Sequence, residues 1–189
     1  RWFPMERIRC RWCNRKNPVY VAYHDTEWGI PQHNDRMLFE LLVLESFQAG
    51  LSWETILNKR GNFRKAFDGF DPALVQSYDD GKILSLMADH GIIRNRRKID
   101  AAIVNARIFL DIQKEWGSFH AYIWHFTAGK TILEADRVTS PLSDLVSMDL
   151  KKRGMKFVGS TIIYSYLQAI GIIYSHETKC FLYRNQNQI

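Results

Sequence analysis

The feature that most constrains the fold of this chain is the stretch LFELLVLESFQAGLSW at positions 38–53. Leu38, Leu41 and Leu42 occupy positions i, i+3 and i+4 of one helix face. Position i+7 of the same face is Glu45. A helix over this stretch therefore places a carboxylate on the face that packs against the core. Burying an unpaired ion is costly, so such a group is normally neutralised, paired with a cation or used to bind a positive group.

The helix is predicted to end in a tight corner shortly after Glu45. Gly50 suits the left-handed conformation that commonly ends a helix, and Leu51-Ser52-Trp53 follows at once. A leucine and a tryptophan are thus expected beside the carboxylate. From this stretch alone, the favoured interpretation is an ion pair between Glu45 and an arginine, with Leu51 and Trp53 in the core.

The rest of the pattern predicts an all-α chain of one domain or two small lobes. Helices are predicted from Asn34 or Asp35 onward, from Ser52 to near Gly61, over 62–67 and 72–78, from Asp79 to 87, from 99 to 110, over 118–126, from Ser140-Pro141 to 150, and from a cap near Ser160. Residues 5–30 show no helical period and are predicted to form an irregular layer over the helical body; 127–139 is also predicted to be irregular. The core stripe predicted for the helix at Pro141 is Leu142, Leu145, Val146 and Leu150.

The charge balance favours a polyanionic partner such as nucleic acid. The chain carries 26 lysines and arginines against 20 aspartates and glutamates, a formal net charge of +6. It has no apolar run of membrane-spanning length and no signal-peptide pattern, so we expect a protein of the cytoplasm or nucleoid that does not associate with membranes. Residues 1–4 precede Met5 and are set aside as an added or upstream extension.

Four residues from the two ends of the chain form a possible metal site. Three cysteines are too few, and odd in number, for a disulfide framework, which favours a reduced compartment and metal ligation. His176 and Cys180 are separated by three residues, a spacing that brings two side chains to one face of a helical turn. With Cys10 and His24 they make the donor set of a tetrahedral structural zinc. Cys13 is a rival for the place of Cys10, because a Cys-x-x-Cys pair also chelates zinc.

A basic cluster opens the helix that follows the turn GIIRNRRKI at 91–99. Its members are Arg94, Arg96, Arg97 and Lys98. Cations at a helix N-terminus oppose the helix dipole, so the cluster indicates an external anion. A solvated basic turn is an equally good interpretation.

The segment MKFVGSTIIYSYLQAIG at 155–171 predicts a short hairpin followed by a helix. A further helix precedes the hairpin, and in this geometry free backbone N–H groups at a helix start can hold a DNA phosphate without reading sequence. The predicted contacts to the DNA backbone are Lys156, Gly159, Ser160 and Thr161, with Lys151 and Lys152 as further phosphate contacts.

Six motifs that extend over nearly the whole chain closely resemble, in order and spacing, the 3-methyladenine DNA glycosylase I family. They are CRW at 10–12, YVAYHDTEWG at 20–29, LESFQAGLSW at 44–53, GIIRNRRKI at 91–99, KKRGMKFVGSTIIYSYLQAIG at 151–171, and His176 to Cys180. The resemblance implies a helix-hairpin-helix DNA glycosylase fold in which a structural zinc joins the N- and C-terminal segments. It also implies one glycosylase unit of two helical lobes over 5–189, in which 5–34 and 172–184 form the zinc-tethered layer.

The resemblance further implies an activity and the residues that perform it. The activity is DNA repair by a monomer that removes 3-methyladenine, with 3-methylguanine as a further candidate, from alkylated double-stranded DNA. Glu45 matches the family's acidic pocket residue, and Leu51 matches the residue that is wedged into the duplex. The family's aromatic residues around the base match Trp12, Tyr20, Tyr23 and Trp53, and Gln48, one turn beyond Glu45, is expected to line the same pocket. The implied zinc ligands are Cys10, His24, His176 and Cys180, which leaves Cys13 as a free thiol.

One departure from the wider helix-hairpin-helix glycosylases bears on mechanism. Those enzymes usually carry a catalytic aspartate shortly after the hairpin helix, and residues 171–176 contain none. We therefore expect a monofunctional enzyme that uses water, with Glu45 as its main electrostatic group. The alternative of another class is a non-catalytic, zinc-stabilised module that binds distorted DNA; it does not explain why a carboxylate and four aromatic residues converge. A zinc hydrolase is disfavoured, because four protein ligands leave no position for water.

Overall fold

The computed structural model of the protein describes residues 6–189. The extension predicted at 1–4, and Met5 at the start of the layer predicted over 5–34, lie outside the described residues. Within 6–189 the chain forms ten α-helices and almost no sheet, which confirms the all-α prediction. They are α1 (Pro18–Thr26), α2 (Asp35–Gln48), α3 (Trp53–Asn58), α4 (Arg60–Ala66), α5 (Pro72–Val75), α6 (Asp80–Ala88), α7 (Arg96–Trp116), α8 (Phe119–His125), α9 (Pro141–Lys152) and α10 (Ser160–Ala169).

Helix α2 lies at the centre of the molecule and carries most of the stretch 38–53, including Glu45. The Asn34 side chain caps it by accepting a hydrogen bond from the Met37 backbone N–H at 3.1 Å. Every residue from 38 to 47 is buried, because α3, α7, α8 and α10 all pack against this helix. A helix that is apolar nearly all round is expected in such a position.

The N-terminal segment differs from its prediction, because α1 forms within the region expected to be irregular. Asn17 caps this helix with its side chain, and Pro18 occupies the first turn, where its missing N–H costs nothing. The helix has little amphipathic character, since its buried residues are Tyr20, Tyr23 and His24 rather than aliphatic ones. A search for apolar periodicity therefore misses it, although its capping signals are present.

Several predicted helix boundaries also need correction. Gly61 was expected to end a helix, but it lies inside α4, which begins one residue after the cap of α3. Helix α5 ends at Val75 rather than near 78. In α9, Leu145 is 47% exposed and not part of the core stripe, whereas Val146 and Leu150 are buried as predicted. The Ser140 cap of α9 is confirmed, and a reciprocal hydrogen bond that the Ser140 backbone N–H donates to the Ser143 side chain completes it.

A short parallel β pair joins the segment predicted to be irregular, 127–139, to the chain that follows α10. Strands β1 (Ile132–Leu133) and β2 (Ile173–Tyr174) align Ile132 with Ile173 and Leu133 with Tyr174. The pairing holds the loop before α9 against the chain that leaves α10, near the predicted metal ligands. Across residues 6–189, no helix combines the length and the apolar character that crossing a bilayer requires.

The segment before α2 packs closely against the chain that leaves α10. Backbone N–H groups of Gly29 and Gln32 donate to the carbonyls of Gln168 and Ile170, at 3.1 and 2.8 Å. Gly171 adopts a φ of +78°, and a Cβ at this position would lie 2.4 Å from the Ile30 carbonyl carbon. Glycine is therefore required here both by the backbone conformation and by the close approach of the two segments.

Candidate functional site

A cavity of about 330 Å³ opens beside the C-terminal half of α2, and Glu45 lines it. The Glu45 residue is only 3% exposed, and within residues 6–189 its carboxylate has no side-chain hydrogen bond or ion pair. The favoured interpretation of the isolated stretch, an arginine partner for Glu45, is therefore wrong. The nearby buried acid Glu40 takes that role instead and pairs with Arg60 and Arg64 at 2.5 and 2.8 Å.

Burial changes the acidity of Glu45. Its removal from water raises the pKa of the carboxyl to about 8, because the charged form is disfavoured in an apolar setting. Burial also raises the pKa of Tyr23 well above its ordinary value, and the negative charge of Glu45 adds to that effect. The cavity thus contains a carboxyl group whose charge would be stabilised by any cation that enters.

Aromatic rings form the walls of the same cavity. The five predicted base-binding residues all line it: Trp12, Tyr20, Tyr23, Gln48 and Trp53. The ring centroids of Trp12 and Tyr20 lie 5.2 Å apart, and those of Tyr23 and Trp53 lie 5.6 Å apart. The Trp53 indole nitrogen is buried without a hydrogen-bond partner among the described residues. The structure therefore brings every predicted pocket residue together around one space.

Sequence reasoning missed further residues of the cavity wall. The additional lining residues are Trp28, Asp136, Arg137, Ser165, Gln168, Ser175 and Glu177. Ser165 and Gln168 are three residues apart on α10, so a helical projection of the last long helix could have placed them on one face. Asp136 and Arg137 come from the irregular loop after β1, where no periodic signal exists.

The corner between α2 and α3 presents Leu51 at its tip. Gly50 adopts the predicted left-handed conformation, with a φ of +79°, and Leu51 is 36% exposed. The Leu51 N–H donates to the Gln48 carbonyl at 2.7 Å, while the Gln48 side-chain amide donates to the Leu51 carbonyl at 2.5 Å. Ser52 caps α3 by accepting from the Thr55 N–H, as predicted. One edge of the cavity and the exposed leucine thus belong to a single closed turn.

Residues 153–159 connect α9 to α10 in a tight turn that three neighbouring helices hold in place. Asn105 of α7 donates to the Lys156 carbonyl and accepts from the Lys156 N–H, both at 2.9 Å. Ser46 of α2 donates to the Phe157 carbonyl at 3.2 Å, and Ser147 of α9 donates to the Val158 carbonyl at 2.6 Å. Side chains therefore satisfy three successive carbonyls of this connection.

The start of α10 lies at the end of that connection. Gly159 occupies the N-cap position, one residue before the predicted cap, and the cap makes no side-chain hydrogen bond. The Ser160 hydroxyl is engaged instead with Asp144 and Ser143, at 2.5 and 2.8 Å. Lys156 and Thr161 are exposed on the same stretch. The backbone N–H groups at the start of α10, rather than the serine side chain, are thus the donors left for a phosphate.

The four residues of the basic cluster at the start of α7 lie in different environments. Lys98 is buried and donates to the Phe47 and Ala49 carbonyls at 2.8 and 2.7 Å, so its assignment to an external anion is wrong. Arg96 pairs with Asp100 at 3.1 Å. Arg94 and Arg97 are exposed, and contact with an anion stays a prediction for these two arginines.

The four predicted metal ligands come together in one buried cluster. The donor atoms of Cys10, His24, His176 and Cys180 all lie within 4.8 Å of one another. Three sulfur–nitrogen distances in this cluster are each 3.5 Å. Zinc–sulfur bonds of about 2.3 Å and zinc–nitrogen bonds of about 2.0 Å, set at a tetrahedral angle, separate sulfur from nitrogen by about 3.5 Å. The donors therefore fit a tetrahedral zinc ion.

The second nitrogen of each histidine in the cluster has an acceptor. His24 Nδ1 lies 2.8 Å from Asp25, whose carboxylate is held in turn by Arg9 at 2.7 Å. His176 Nε2 lies 3.2 Å from the Trp28 carbonyl. These contacts leave His24 Nε2 and His176 Nδ1 as the lone-pair donors, the arrangement usual around metal-binding histidines. Cys13 lies outside the cluster, with its sulfur 3.9 Å from the Tyr20 carbonyl.

The chain is similar to known proteins in both sequence and structure. The model of the methyladenine glycosylase family matches residues 12–183 of this chain. DNA-3-methyladenine glycosylase 1 of Escherichia coli is 44% identical over 182 residues, which cover 93% of this chain and 96% of that protein. DNA-3-methyladenine glycosylase of Haemophilus influenzae is 37% identical and covers 91% and 96% of the two chains.

Comparison of the fold points to the same family. A crystal structure of 3-methyladenine DNA glycosylase I superposes with a TM-score of 0.89 at 42% identity and covers 94% of this chain and all of the other. The Staphylococcus aureus enzyme, whose structure addresses the recognition of 3-methyladenine, superposes with a TM-score of 0.88 at 34% identity over 94% and 98% of the two chains. The family match, the sequence identity and the fold agree over nearly the whole length, and the chain therefore belongs to the methyladenine glycosylase family.

Proposed function

We propose that this protein is a monofunctional DNA glycosylase that hydrolyses the N-glycosidic bond of 3-methyladenine flipped out of alkylated double-stranded DNA. The observation that carries the proposal is Glu45, a buried carboxylate that pairs with no cation among residues 6–189, in a cavity walled by aromatic rings. The relatives that cover nearly the whole chain are named as 3-methyladenine glycosylases, which supports the same activity.

The aromatic walls select a base by its charge. Methylation at N3 gives adenine a positive charge, and a cation over the face of a tryptophan or tyrosine gains about 0.5 to 2 kcal/mol for each well-placed ring. Neutral adenine gains much less from the same rings. Trp12, Tyr23 and Trp53 lie around the space that the base enters, so they favour the damaged base over the normal one.

Glu45 is the main electrostatic group of the reaction. A positive base beside the carboxyl lowers its pKa from about 8, since an opposite charge favours the ionised form. The ionised carboxylate then accepts a hydrogen bond from the amino group of the base and adds charge attraction in a site with little water. Because the charged base is already a good leaving group, hydrolysis requires no strong acid on the protein.

Leu51 compensates for part of the cost of removing the nucleotide from the helix. Extruding a base costs a few kcal/mol of stacking, which an apolar side chain inserted between base pairs partly replaces. Leu51 stands at the exposed tip of the corner that borders the cavity, the position such a wedge requires. The lesion would enter the cavity on one side of this residue.

The connection between α9 and α10 serves as a helix-hairpin-helix that holds the DNA backbone. Gly159, Ser160 and Thr161 offer backbone N–H groups at the start of α10, where the helix dipole favours a phosphate. Lys156 adds a positive charge from the exposed face of the turn. Neither contact reads a base, which suits an enzyme that must find a lesion in any sequence.

A structural zinc ion at Cys10, His24, His176 and Cys180 completes the proposal. When bound, it links the segment before α1 to the chain that follows β2 and contributes folding free energy. Four protein donors leave no position for water or substrate, so the ion takes no part in hydrolysis. The bond-breaking step is left to the cavity around Glu45.

The direct test is the release of free bases from methylated duplex DNA by the purified protein, with EDTA present. Chromatography separates 3-methyladenine, 3-methylguanine and 7-methylguanine in one run. We expect free 3-methyladenine without 7-methylguanine, because a cavity selective for shape and charge accepts methylation at N3. The same run shows whether 3-methylguanine is a further substrate.

A folded, metal-loaded protein that binds the same DNA and releases no base would overturn the proposal. That outcome would instead support a non-catalytic module that binds distorted duplex. A variant in which the cavity is blocked, Gln168→Trp, serves as the control for contaminating glycosylases, because Gln168 lines the cavity on α10.

A further inference from the structure

Lys98 is the one residue of the basic cluster at the start of α7 that turns inward, and the mechanism above leaves it unused. The residue is only 7% exposed, and within residues 6–189 its ammonium group has no carboxylate partner. Burying an unpaired cation is costly, so its remaining contacts must compensate. Those contacts are the carbonyl oxygens of Phe47 and Ala49, at 2.8 and 2.7 Å.

The Phe47 carbonyl belongs to the last turn of α2 and the Ala49 carbonyl to its C-cap residue, directly before the corner that carries Leu51. A helix leaves its last carbonyls without partners, and a cation there also interacts favourably with the helix dipole. The carbonyl between them, that of Gln48, accepts the Leu51 N–H at 2.7 Å. Lys98 and Leu51 together thus satisfy three successive carbonyls that fix how the chain leaves α2.

The base of the Lys98 side chain is also fixed. Its backbone N–H donates to the Asn95 side chain at 3.2 Å, the capping bond of α7. Helix α7 packs against α2 along the core, so the ammonium group is held from a rigid element. A wedge that pushes apart stacked base pairs meets a restoring force from the DNA, and a corner anchored in this way resists displacement better than one held by its own backbone alone.

We propose that Lys98 is a positioning residue that locks the α2–α3 corner and so holds Leu51 in place for insertion into the duplex. This inference rests on the proposed function, in which Leu51 is the wedge. The lysine touches neither the base nor the reacting bond. It acts on the step that opens the duplex and has little effect on a nucleotide that is already unstacked.

The test compares single-turnover excision of 3-methyladenine from duplex and from single-stranded methylated DNA. Lys98→Met keeps the length of the side chain but removes the ammonium group. We expect a loss on duplex DNA on the order of ten- to a hundred-fold, as for a small displacement of a positioned group, and a change within about two-fold on single strands. Lys114→Met, at an exposed lysine on the same helix, is the matched control and should leave both rates unchanged.

A double-mutant cycle with Leu51→Ala separates positioning from general loss of stability. If Lys98 acts through the wedge, Lys98→Met has little further effect on the duplex rate once Leu51 is alanine. The inference is overturned if the rate losses of Lys98→Met and Leu51→Ala multiply in the double variant. It is also overturned if Lys98→Met slows excision equally from duplex and from single-stranded DNA. Lys98→Arg keeps a cationic donor and should recover much of the duplex rate. If Lys98→Met does not fold, Lys98→Gln, which keeps a polar group without the charge, takes its place and must show a loss confined to duplex DNA.

The same data distinguish a failure of this inference from a failure of the proposed function. Wild-type protein that releases no base from either substrate contradicts the glycosylase. An unchanged duplex rate for Leu51→Ala contradicts the wedge. A slow Leu51→Ala variant together with a normal Lys98→Met variant contradicts only the role given to Lys98.

Discussion

The partners of a buried residue decide its chemistry, as the two glutamates of α2 show. Glu40 and Glu45 are equally buried on the same helix. Glu40 is paired with Arg60 and Arg64, whereas Glu45 lines the cavity and has no cationic partner in the described part of the chain. Hydrophobic spacing placed Glu45 inward correctly. It could not distinguish a carboxylate paired within the protein from one kept for a ligand, because that difference depends on arginines about 20 residues away in the sequence.

The raised pKa of Glu45 predicts how stability depends on pH. The folded protein keeps this proton up to a pH of about 8, whereas the unfolded chain loses it near 4.5. The unfolded state therefore binds fewer protons between these values, so the stabilising contribution is complete below about 4.5, falls as the pH rises and is lost above about 8. The slope approaches about 1.4 kcal/mol per pH unit for one proton.

Urea unfolding from about pH 6 to about pH 8 measures this slope. Glu45→Gln removes the titrating group and should flatten it, while Glu134→Gln, at another glutamate with a buried side-chain oxygen, is the control. Identical slopes in wild type and Glu45→Gln would show that Glu45 is already ionised in the folded protein at neutral pH.

The connection between α9 and α10 shows what can be predicted for an element. Its helix–turn–helix outline and the stop at Gly154 follow from the sequence, since Pro141 starts α9 and glycine accepts the φ of +100° at 154. The side-chain contacts that anchor this connection cannot be predicted from the sequence in the same way. The side chains of Asn105 and Ser46 that hold the turn come from α7 and α2, and no local pattern relates residues so far apart.

Asn105 is predicted to hold this connection in the geometry that binds DNA. Asn105→Ala leaves the backbone N–H and carbonyl of Lys156 without their partners, which costs roughly 1 to 3 kcal/mol of unfolding free energy. We also expect weaker binding to undamaged duplex DNA, while binding of free 3-methyladenine, followed by tryptophan fluorescence, is unchanged.

Asn187→Ala is the matched control, because this exposed asparagine lies near the C-terminus, away from the connection. If Asn105→Ala destabilises the protein but leaves DNA affinity intact, the turn does not carry the phosphate contacts. Equal loss of base and DNA binding would indicate a general disturbance of the fold.

Helices α1 and α7 show why some elements were predicted and others missed. The apolar stripe of α7 repeats over many turns, so its position follows directly from the spacing of residues such as Ile99, Ala102 and Ala106. Helix α1 is short and buries two tyrosines and a histidine rather than aliphatic side chains, so periodicity is weak there. Its true signal was the cap at Asn17 and Pro18, which indicates a helix start without any apolar period.

At the scale of the whole molecule, the segment before α1 contacts the chain that follows β2. The Phe181 N–H donates to the Ile8 carbonyl at 2.8 Å, and the Arg11 N–H donates to Glu177 at 2.9 Å. The donor cluster lies between these contacts. Residue spacing suggested the His176 and Cys180 pair, and residue type suggested Cys10 and His24 as its partners, but only the resemblance to a family set aside Cys13 as a rival for Cys10.

Metal content and thermal stability test the zinc site. We expect about one zinc ion per wild-type chain and almost none in Cys180→Ser, because each ligand of a four-donor site is required. Tm should fall with the metal, by about 2–4 °C for each kcal/mol lost in a domain of this size. Cys13→Ser should keep the zinc ion and the wild-type Tm, since the Cys13 sulfur lies outside the cluster. If Cys180→Ser bound as much zinc as wild type and kept the wild-type Tm, the proposed zinc site would be wrong.

The measurement that tests the central claim most directly compares Glu45→Gln with wild type in single-turnover excision of 3-methyladenine from methylated duplex DNA, with DNA affinity measured in parallel. Glutamine keeps the size of the side chain but supplies no negative charge to the cationic base. We predict a fall in excision on the order of a hundred-fold, as when one preorganised electrostatic group is removed, with DNA affinity unchanged. Unchanged excision would contradict the account, because the buried carboxylate would then have no role in breaking the glycosidic bond.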